Sequence, residues 1–114
     1  MLQDLYAKRD EIERLLMEEA ETFRKSGIQF AENTAEYRKA IRVETLKERA
    51  KGTPVTAISD LVRGLAYVAE LNQAVISSEA VYKSSQEVIN ILKIRMKTVE
   101  ADIQRVWTSG GYTQ

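Results

Sequence analysis

Two residue types are missing from this 114-residue chain, which contains no cysteine and no histidine. Their absence excludes disulfide bonds, thiolate zinc sites, imidazole metal ligands, cysteine nucleophiles and Ser-His triads. Proline occurs once and glycine five times, so few positions interrupt a helix. We therefore expect a protein that has no cofactor or metal and is not an enzyme.

The chain also has no excess of positive or negative charge. Seventeen basic residues balance 17 acidic ones, so no overall field draws nucleic acid or an anionic membrane toward the chain. Met1 is not followed by the apolar run of a signal peptide, and the aliphatic runs are too short to span a bilayer. Since cysteine is also absent, we expect a cytoplasmic protein that does not engage a membrane.

Residues 68–106 have a regular pattern of apolar and small side chains. The steps between them alternate between three and four residues, and neither Gly nor Pro interrupts the stretch. This a/d spacing is typical of a helix that packs along its length on another helix. The predicted seam consists of Val68, Leu71, Val75, Ser78, Tyr82, Ser85, Ile89, Leu92, Met96, Val99, Ile103 and Val106.

Residues from about 3 to 50 predict another long helix, with a less regular seam. A helix end at Gly27 and a capping box from Asn33 to Glu36 would instead break it near residues 26–33. We favour the continuous helix, in which Gly27 is a small residue opposite a large one. The seam that we trace runs through Leu16, Ala20, Phe23, Gly27, Phe30, Thr34, Tyr37 and Ile41.

A short corner segment separates the two long helices. Pro54 cannot continue the first helix, because it has no N–H group and restricts the residue before it. Within residues 53–64, Thr56 is a suitable N-cap for one or two helical turns, and Gly64 is suited to end them. The corner is therefore expected to contain a short helix.

Together these segments predict an all-α fold with a single helical domain over residues 1–114. It is an antiparallel long helical hairpin, similar to a coiled coil, with the short helix at its corner. The second long helix covers residues from about 65 to 107, and residues 108–114 form a tail. Folding the helices about the corner pairs large side chains with small ones and sets Gly27 opposite Ile89.

Further apolar residues lie beside the seam of the second long helix. A stripe of this kind on a thin hairpin is unfavourable in water, so we expect self-association into a homo-oligomeric bundle. The alternative is a compact three-helix monomer with a break near Gly27. Trp107 is expected to pack near Tyr6 or to anchor a partner. The candidate interface residues are Ala74, Val81, Val88, Ile91 and Trp107.

Three polar clusters have residues that suit a ligand site, and for each a structural role is favoured. A carboxylate metal site at Glu11, Glu18 and Glu21 would lack the histidines of helical diiron sites. The candidate anion or ligand site at the corner, beside a helix N-terminus, consists of Thr53, Thr56, Asp60 and Arg63. The candidate nucleic-acid contacts, which glutamates interleave, are Arg38, Lys39, Arg42, Lys47, Arg49 and Lys51.

Several segments carry a resemblance to a known group of proteins. The most specific is the Gly-x-Pro-Val-Thr corner at residues 52–56, preceded by Ala-Glu-Tyr-Arg-Lys-Ala at 35–40 and followed by Gln-Arg-x-Trp at 104–107. This chain resembles small helical proteins that bacteriophages and prophages of Gram-positive bacteria encode. The resemblance implies a cytoplasmic setting in an infected host, but it assigns no functional residue because the group has no established activity.

We therefore predict a non-enzymatic, phage-type helical binding protein that acts through a protein partner. One such role is that of a host-defence antagonist. A nucleic-acid accessory factor in phage recombination or replication is the first alternative. An oligomer that sequesters a small anionic signalling nucleotide is the second.

Overall fold

The computed structural model describes residues 1–111. This part of the chain contains no strand, which confirms the all-α prediction. The predicted tail at residues 108–114 begins inside a helical turn, and its last three residues lie outside the described part. The helices are α1 (Leu2–Ala50), α2 (Val55–Arg63) and α3 (Ala66–Val106), and a π-helical turn follows at Trp107–Gly111.

Helix α1 continues through Gly27 without a break. The capping signal predicted at Asn33 lies inside the helix, and its side chain makes other hydrogen bonds. Asn33 Nδ2 donates to the carbonyl oxygen of Ala74 at 3.2 Å, and Asn33 Oδ1 accepts from Gln29 Nε2 at 2.9 Å. The continuous helix is therefore confirmed, and the alternative with a break near residues 26–33 is wrong.

The chain reverses direction after α1 at the predicted corner. Gly52 has a φ of 80°, in the left-handed region that glycine adopts without steric cost. Its N–H donates to the carbonyl oxygen of Arg49 at 3.0 Å, which satisfies one acceptor at the end of α1. Pro54 follows two residues later, where it prevents the helix from resuming.

Helix α2 begins two residues earlier than the capping prediction requires. Pro54 is the N-cap, and no side chain caps the first turn. Thr56 therefore lies inside the helix, and its prediction as N-cap is wrong because the extended backbone of Pro54 already starts the turn. Gly64 ends α2 as predicted, and its N–H donates to the carbonyl oxygen of Asp60 at 3.0 Å.

The seam predicted for the second long helix is present in α3. Each of its members is buried or half-buried, which confirms the a/d pattern. Val68 is fully buried, and Ser78 and Ser85 are buried despite their hydroxyl groups. The seam of α3 therefore tolerates small polar residues where their hydroxyls find acceptors.

The helical contacts group into two compact units. Unit 1 combines Met1–Arg24 with the chain from Lys83 onward, and unit 2 is Lys25–Tyr82. In each unit, a segment of α1 packs antiparallel on a segment of α3. The core of unit 1 consists of Ile12, Leu92, Val99 and Ile103. The buried apolar residues of unit 2 are Ala40, Ile58, Val62 and Val68.

The pairing within unit 2 differs from the predicted register. Gly27 lies beside the ring of Tyr82, whereas the sequence-based pairing set it opposite Ile89, one heptad further along α3. Phe30 also contacts Tyr82, with ring centroids 5.9 Å apart. The shift arises because polar residues occupy seam positions of α1 and make hydrogen bonds to α3, which apolar patterning alone does not detect.

Helix α1 has its own seam, in which five positions are polar. All of its members are buried or half-buried, while Ala20, which the predicted seam included, is exposed. Glu19, Asn33 and Glu44 make hydrogen bonds to residues of α3, such as that from Tyr67 Oη to Glu44 at 2.6 Å. The observed seam consists of Leu2, Leu5, Arg9, Ile12, Leu16, Glu19, Phe23, Ser26, Phe30, Asn33, Tyr37, Ala40 and Glu44.

Candidate interaction surfaces

An apolar groove opens between the two helices of unit 1. It has a volume of about 610 Å³ and lies between residues 5–15 of α1 and residues 94–102 of α3. Ile12 and Val99 form its buried floor, whereas the side chain of Ile94 is 65% exposed at its edge. The apolar residues of this unit 1 groove are Leu5, Ala7, Ile12, Leu15, Ile94 and Val99.

Ile94 remains exposed because of its position on α3. It lies midway between the seam residues Leu92 and Met96, so it points away from the line of contact with α1. Leu92 is buried, and Met96 packs against the unit 1 core. An isoleucine outside the seam therefore adds apolar surface to the groove, and packing within unit 1 does not cover it.

Four charged residues line the groove in alternating sign. Lys8 and Glu11 lie on α1, and Arg95 and Asp102 lie on α3. Because the helices are antiparallel, Asp102 is near the level of Lys8, and Arg95 is near the level of Glu11. Hydrogen bonds from Arg14 to Glu11 lower the pKa of Glu11, so this carboxylate is charged at neutral pH. The groove therefore has an apolar floor and a rim that carries both positive and negative charges.

The five predicted interface residues are distributed over both units. In unit 2, Ala74 is half-buried and its carbonyl oxygen accepts from Asn33, so Ala74 faces α1, whereas Val81 is 53% exposed. In unit 1, Val88 and Ile91 have exposed side chains. Val88 and Ile91 precede Ile94 on α3 and extend the apolar surface on its side of unit 1.

Trp107 is held against the N-terminal part of α1. Its indole N–H donates to the hydroxyl of Tyr6 at 2.9 Å, which confirms the predicted packing near Tyr6. The guanidinium of Arg9 lies 5.0 Å from the centroid of the Tyr6 ring, a favourable cation–π distance. Trp107 is still 43% exposed, so it also contributes to the surface of unit 1.

The unit 1 groove itself was not predicted. Val88, Ile91 and Ile94 are all recognisable in the sequence as apolar residues outside the seam of α3. The α1 half of the groove could not be recognised, because Leu5, Ile12 and Leu15 fit the traced α1 seam poorly. A seam traced from Leu2, as observed in α1, would have indicated this half of the groove.

The basic cluster on α1 divides into two chemically different sets. Each of its three lysines pairs with a glutamate one turn earlier, at Glu36–Lys39, Glu44–Lys47 and Glu48–Lys51. Its three arginines, Arg38, Arg42 and Arg49, have no carboxylate at the adjacent-turn positions. At 100° per residue the arginines lie within about 40° of one another on α1. We call them the arginine face of unit 2.

The predicted anion site at the corner is dispersed rather than assembled. Thr53 Oγ1 donates to Glu48 Oε1 at 3.1 Å, so its hydroxyl stabilises the end of α1. Thr56 and Asp60 are exposed on α2. Arg63 lines a nearby cavity of about 200 Å³ whose other polar residues are Thr45, Arg49 and Ser59, so the structure brings a different set of residues together.

The three carboxylates of the conceivable metal site on α1 bind arginines. Glu11 and Glu18 both bind Arg14, and Glu21 binds Arg24 at 2.5 Å. Within residues 1–111, no group of three or more acidic side chains is arranged to hold a metal ion. Nor does any helix in this range have the length and apolar character needed to cross a membrane.

Comparison with protein-family models, curated proteins and solved structures gives no match to this chain.

Proposed function

We propose that this protein is a non-enzymatic helical interaction protein that acts by binding another protein chain along the unit 1 groove. The observation that carries the proposal is the exposed apolar surface of the groove, where Ile94 is 65% exposed beside the buried Ile12 and Val99. A groove between two helices is suited to an amphipathic third helix, whose apolar side chains cover such a floor.

The occupant that fits the rim charges is a second copy of this chain. If the two-fold axis is perpendicular to the helices, Lys8 faces Glu11 of the second copy and Arg95 faces its Asp102. If the two-fold axis is parallel to the helices, Lys8 faces Asp102 of the second copy and Glu11 faces its Arg95. Both arrangements join opposite charges, and two-fold dimers are the commonest homo-oligomers. We therefore propose a homo-oligomer paired through unit 1.

The resemblance to phage proteins supplies the setting of this proposal. It implies a cytoplasmic setting in an infected host, and the role that we propose there is host-defence antagonism through a further protein partner. The partly exposed Trp107 in unit 1 offers aromatic surface outside the groove for such a partner. Exposed aromatic residues are frequent anchors in interfaces.

Site-specific photo-crosslinking tests where the occupant lies. A photoreactive phenylalanine analogue replaces Ile94 in the groove or, as a matched control, Met17, which is 76% exposed in unit 1 and does not line the groove. We expect a discrete crosslinked dimer from position 94 and none from position 17. A discrete product with one other protein would replace the second copy with that partner. No discrete product at position 94 would overturn the groove as a binding site.

A second candidate function is nucleic-acid binding through the arginine face. Its support is the absence of carboxylates at the adjacent-turn positions of Arg38, Arg42 and Arg49, which leaves three neighbouring guanidiniums for phosphate contacts. Fluorescence anisotropy with single- and double-stranded oligonucleotides tests it. We expect binding that weakens steeply with salt. Arg42→Gln should weaken it more than Lys39→Gln, since Lys39 is already paired. No binding at low salt would exclude this function.

A further inference from the structure

A small cavity lies in unit 2, between the last turns of α1 and helix α2. Its volume is about 200 Å³. Ile58 and Val62 are buried in its wall, at 5% and 1% exposure, while Arg49 and Arg63 line it from α1 and α2. We call this the corner cavity. It joins an apolar wall to two cations that belong to different helices.

The two guanidiniums at the corner cavity have no acidic partner in the described chain. Arg49 has Thr45 and Leu46 one turn earlier, whereas Lys47 and Lys51 nearby are paired with glutamates. Asp60, one turn before Arg63 on α2, is exposed. Two positive charges that are not neutralised within residues 1–111 favour a ligand that carries two negative charges.

We propose that the corner cavity binds a small organic phosphate monoester. Arg49 and Arg63 hold the phosphate, because planar guanidiniums donate paired hydrogen bonds to phosphate oxygens. The hydroxyls of Thr45 and Ser59 are further donors in the lining. The organic part lies on Ile58 and Val62. Drug-sized ligands occupy about 300–1,000 Å³, so this smaller cavity suits one ring rather than a dinucleotide.

Calorimetric titration of the full chain tests this site with phenyl phosphate, inorganic phosphate and phenol. We expect phenyl phosphate to bind at least about tenfold more tightly than inorganic phosphate or phenol, since only the whole molecule uses both the arginines and the apolar wall. A flat titration with phenyl phosphate would overturn the proposal. Equal affinity for inorganic phosphate would overturn it too, because the apolar wall would then contribute nothing.

Variants that remove one positive charge test which residues bind the phosphate. Arg49→Gln and Arg63→Gln should each weaken phenyl phosphate binding about tenfold, while the control Lys39→Gln on the same helix should leave it unchanged. All three positions are exposed, so far-UV circular dichroism should confirm an unchanged fold. An equal loss in the Lys39 variant would show general charge attraction and contradict a built site.

Methyl NMR gives a readout that charge attraction alone does not produce. The δ1 methyl resonance of Ile58 should shift with phenyl phosphate and not with inorganic phosphate, because only the ring reaches the apolar wall. An unmoved Ile58 resonance at saturation would contradict the proposed pose. Adenosine monophosphate is the second organic phosphate to titrate. Tighter binding than phenyl phosphate would favour a nucleotide as the ligand, and weaker binding would favour a phosphate with a smaller organic group.

Discussion

Gly27 of α1 lies against the ring of Tyr82 on α3, so closely that a Cβ atom at residue 27 would come within 3.0 Å of Tyr82 Cε1. The ring has little room to withdraw, because Phe30 packs on it with centroids 5.9 Å apart. Glycine inside a helix costs about 1 kcal/mol relative to alanine. At this position that cost is offset by close packing with a large aromatic residue.

This close approach predicts an unusual response to a helix-favouring substitution. Gly27→Ala should lower the free energy of unfolding by about 1 kcal/mol, since overpacking of about 1–3 kcal/mol exceeds the gain in helix propensity. In a Tyr82→Ala background the same substitution should instead raise it by about 1 kcal/mol. Urea unfolding followed by circular dichroism measures the four proteins. The same effect of Gly27→Ala in both backgrounds would show that Tyr82 does not restrict residue 27.

A buried hydroxyl in unit 1 predicts a coupling between the helices. Ser85 is 3% exposed, and its Oγ donates to Glu19 Oε1 at 2.9 Å. Ser85→Ala should lower the free energy of unfolding by about 1–2 kcal/mol, because the bond has a charged acceptor. In a Glu19→Ala background the loss should shrink to a few tenths of a kcal/mol. The control Ser84→Ala, at an exposed neighbour, should change stability little. Strictly additive losses at Ser85 and Glu19 would contradict the coupling.

Two half-buried glutamates near the corner predict sensitivity to acid. The Tyr67 hydroxyl and Lys47 lower the pKa of Glu44, and Lys51 and Thr53 lower that of Glu48. A lowered pKa in the folded state stabilises the fold above the ordinary value of 4.5, and this stability is lost as the pH falls through the lowered pKa. The melting temperature should therefore decrease when the pH is lowered below about 4.5.

Removal of the tyrosine hydroxyl isolates its share of this acid response. Tyr67→Phe removes the hydrogen bond that contributes most to the lowered pKa of Glu44, so the melting temperature of this variant should depend less on pH between neutral and acid conditions. Tyr37→Phe, which removes a hydroxyl from a half-buried position elsewhere in unit 2, is the matched control and should behave like the wild-type chain. Identical pH profiles for all three proteins would argue against the Tyr67–Glu44 bond in solution.

The rim of the unit 1 groove predicts a charge-reversal result. Lys8→Glu should weaken self-association severalfold, since both two-fold arrangements would then join like charges. Adding Glu11→Lys should restore it if α1 faces α1 of the second copy. Adding Asp102→Lys should restore it if α1 faces α3. Sedimentation equilibrium measures the dissociation constants. If neither double variant restores association, the rim does not pair as proposed.

Helix α3 was predictable from sequence because its seam residues are mostly apolar. From Val68 to Val106 the spacing alone gives the buried face, and no residue within it breaks a helix. The corner was also predictable, since Gly52 and Pro54 have backbone requirements that few structures satisfy. Thr56 misled the capping prediction. It is a residue type that caps helices well, but it lies two positions after Pro54, the observed N-cap.

Helix α1 was predictable as a helix, but the face that it buries was not. Glu19, Asn33 and Glu44 occupy seam positions, and apolar patterning treats such residues as solvent-exposed. Their burial is stabilised by partners on α3 that are distant in sequence, such as the carbonyl oxygen of Ala74. The same error hid the α1 half of the unit 1 groove and shifted the expected partner of Gly27 from Tyr82 to Ile89.

The corner shows why a cluster of polar residues in sequence need not form a site. Thr53, Thr56 and Asp60 are close in the chain, but Thr53 bonds to Glu48 and the other two face solvent. The residues that share a cavity with Arg63 come partly from the end of α1, including Arg49. That pairing depends on how α2 folds back on α1, which sequence spacing does not give.

The most direct test of binding through the unit 1 groove is the molar mass in solution, measured by light scattering after size exclusion. We expect the wild-type chain and the control Met17→Glu to have at least twice the 13.0 kDa mass of one chain. Ile94→Glu places a charge on the exposed apolar edge of the groove and should reduce the mass to 13.0 kDa. A wild-type mass of 13.0 kDa, or an Ile94→Glu variant that stays associated, would contradict self-association through this groove.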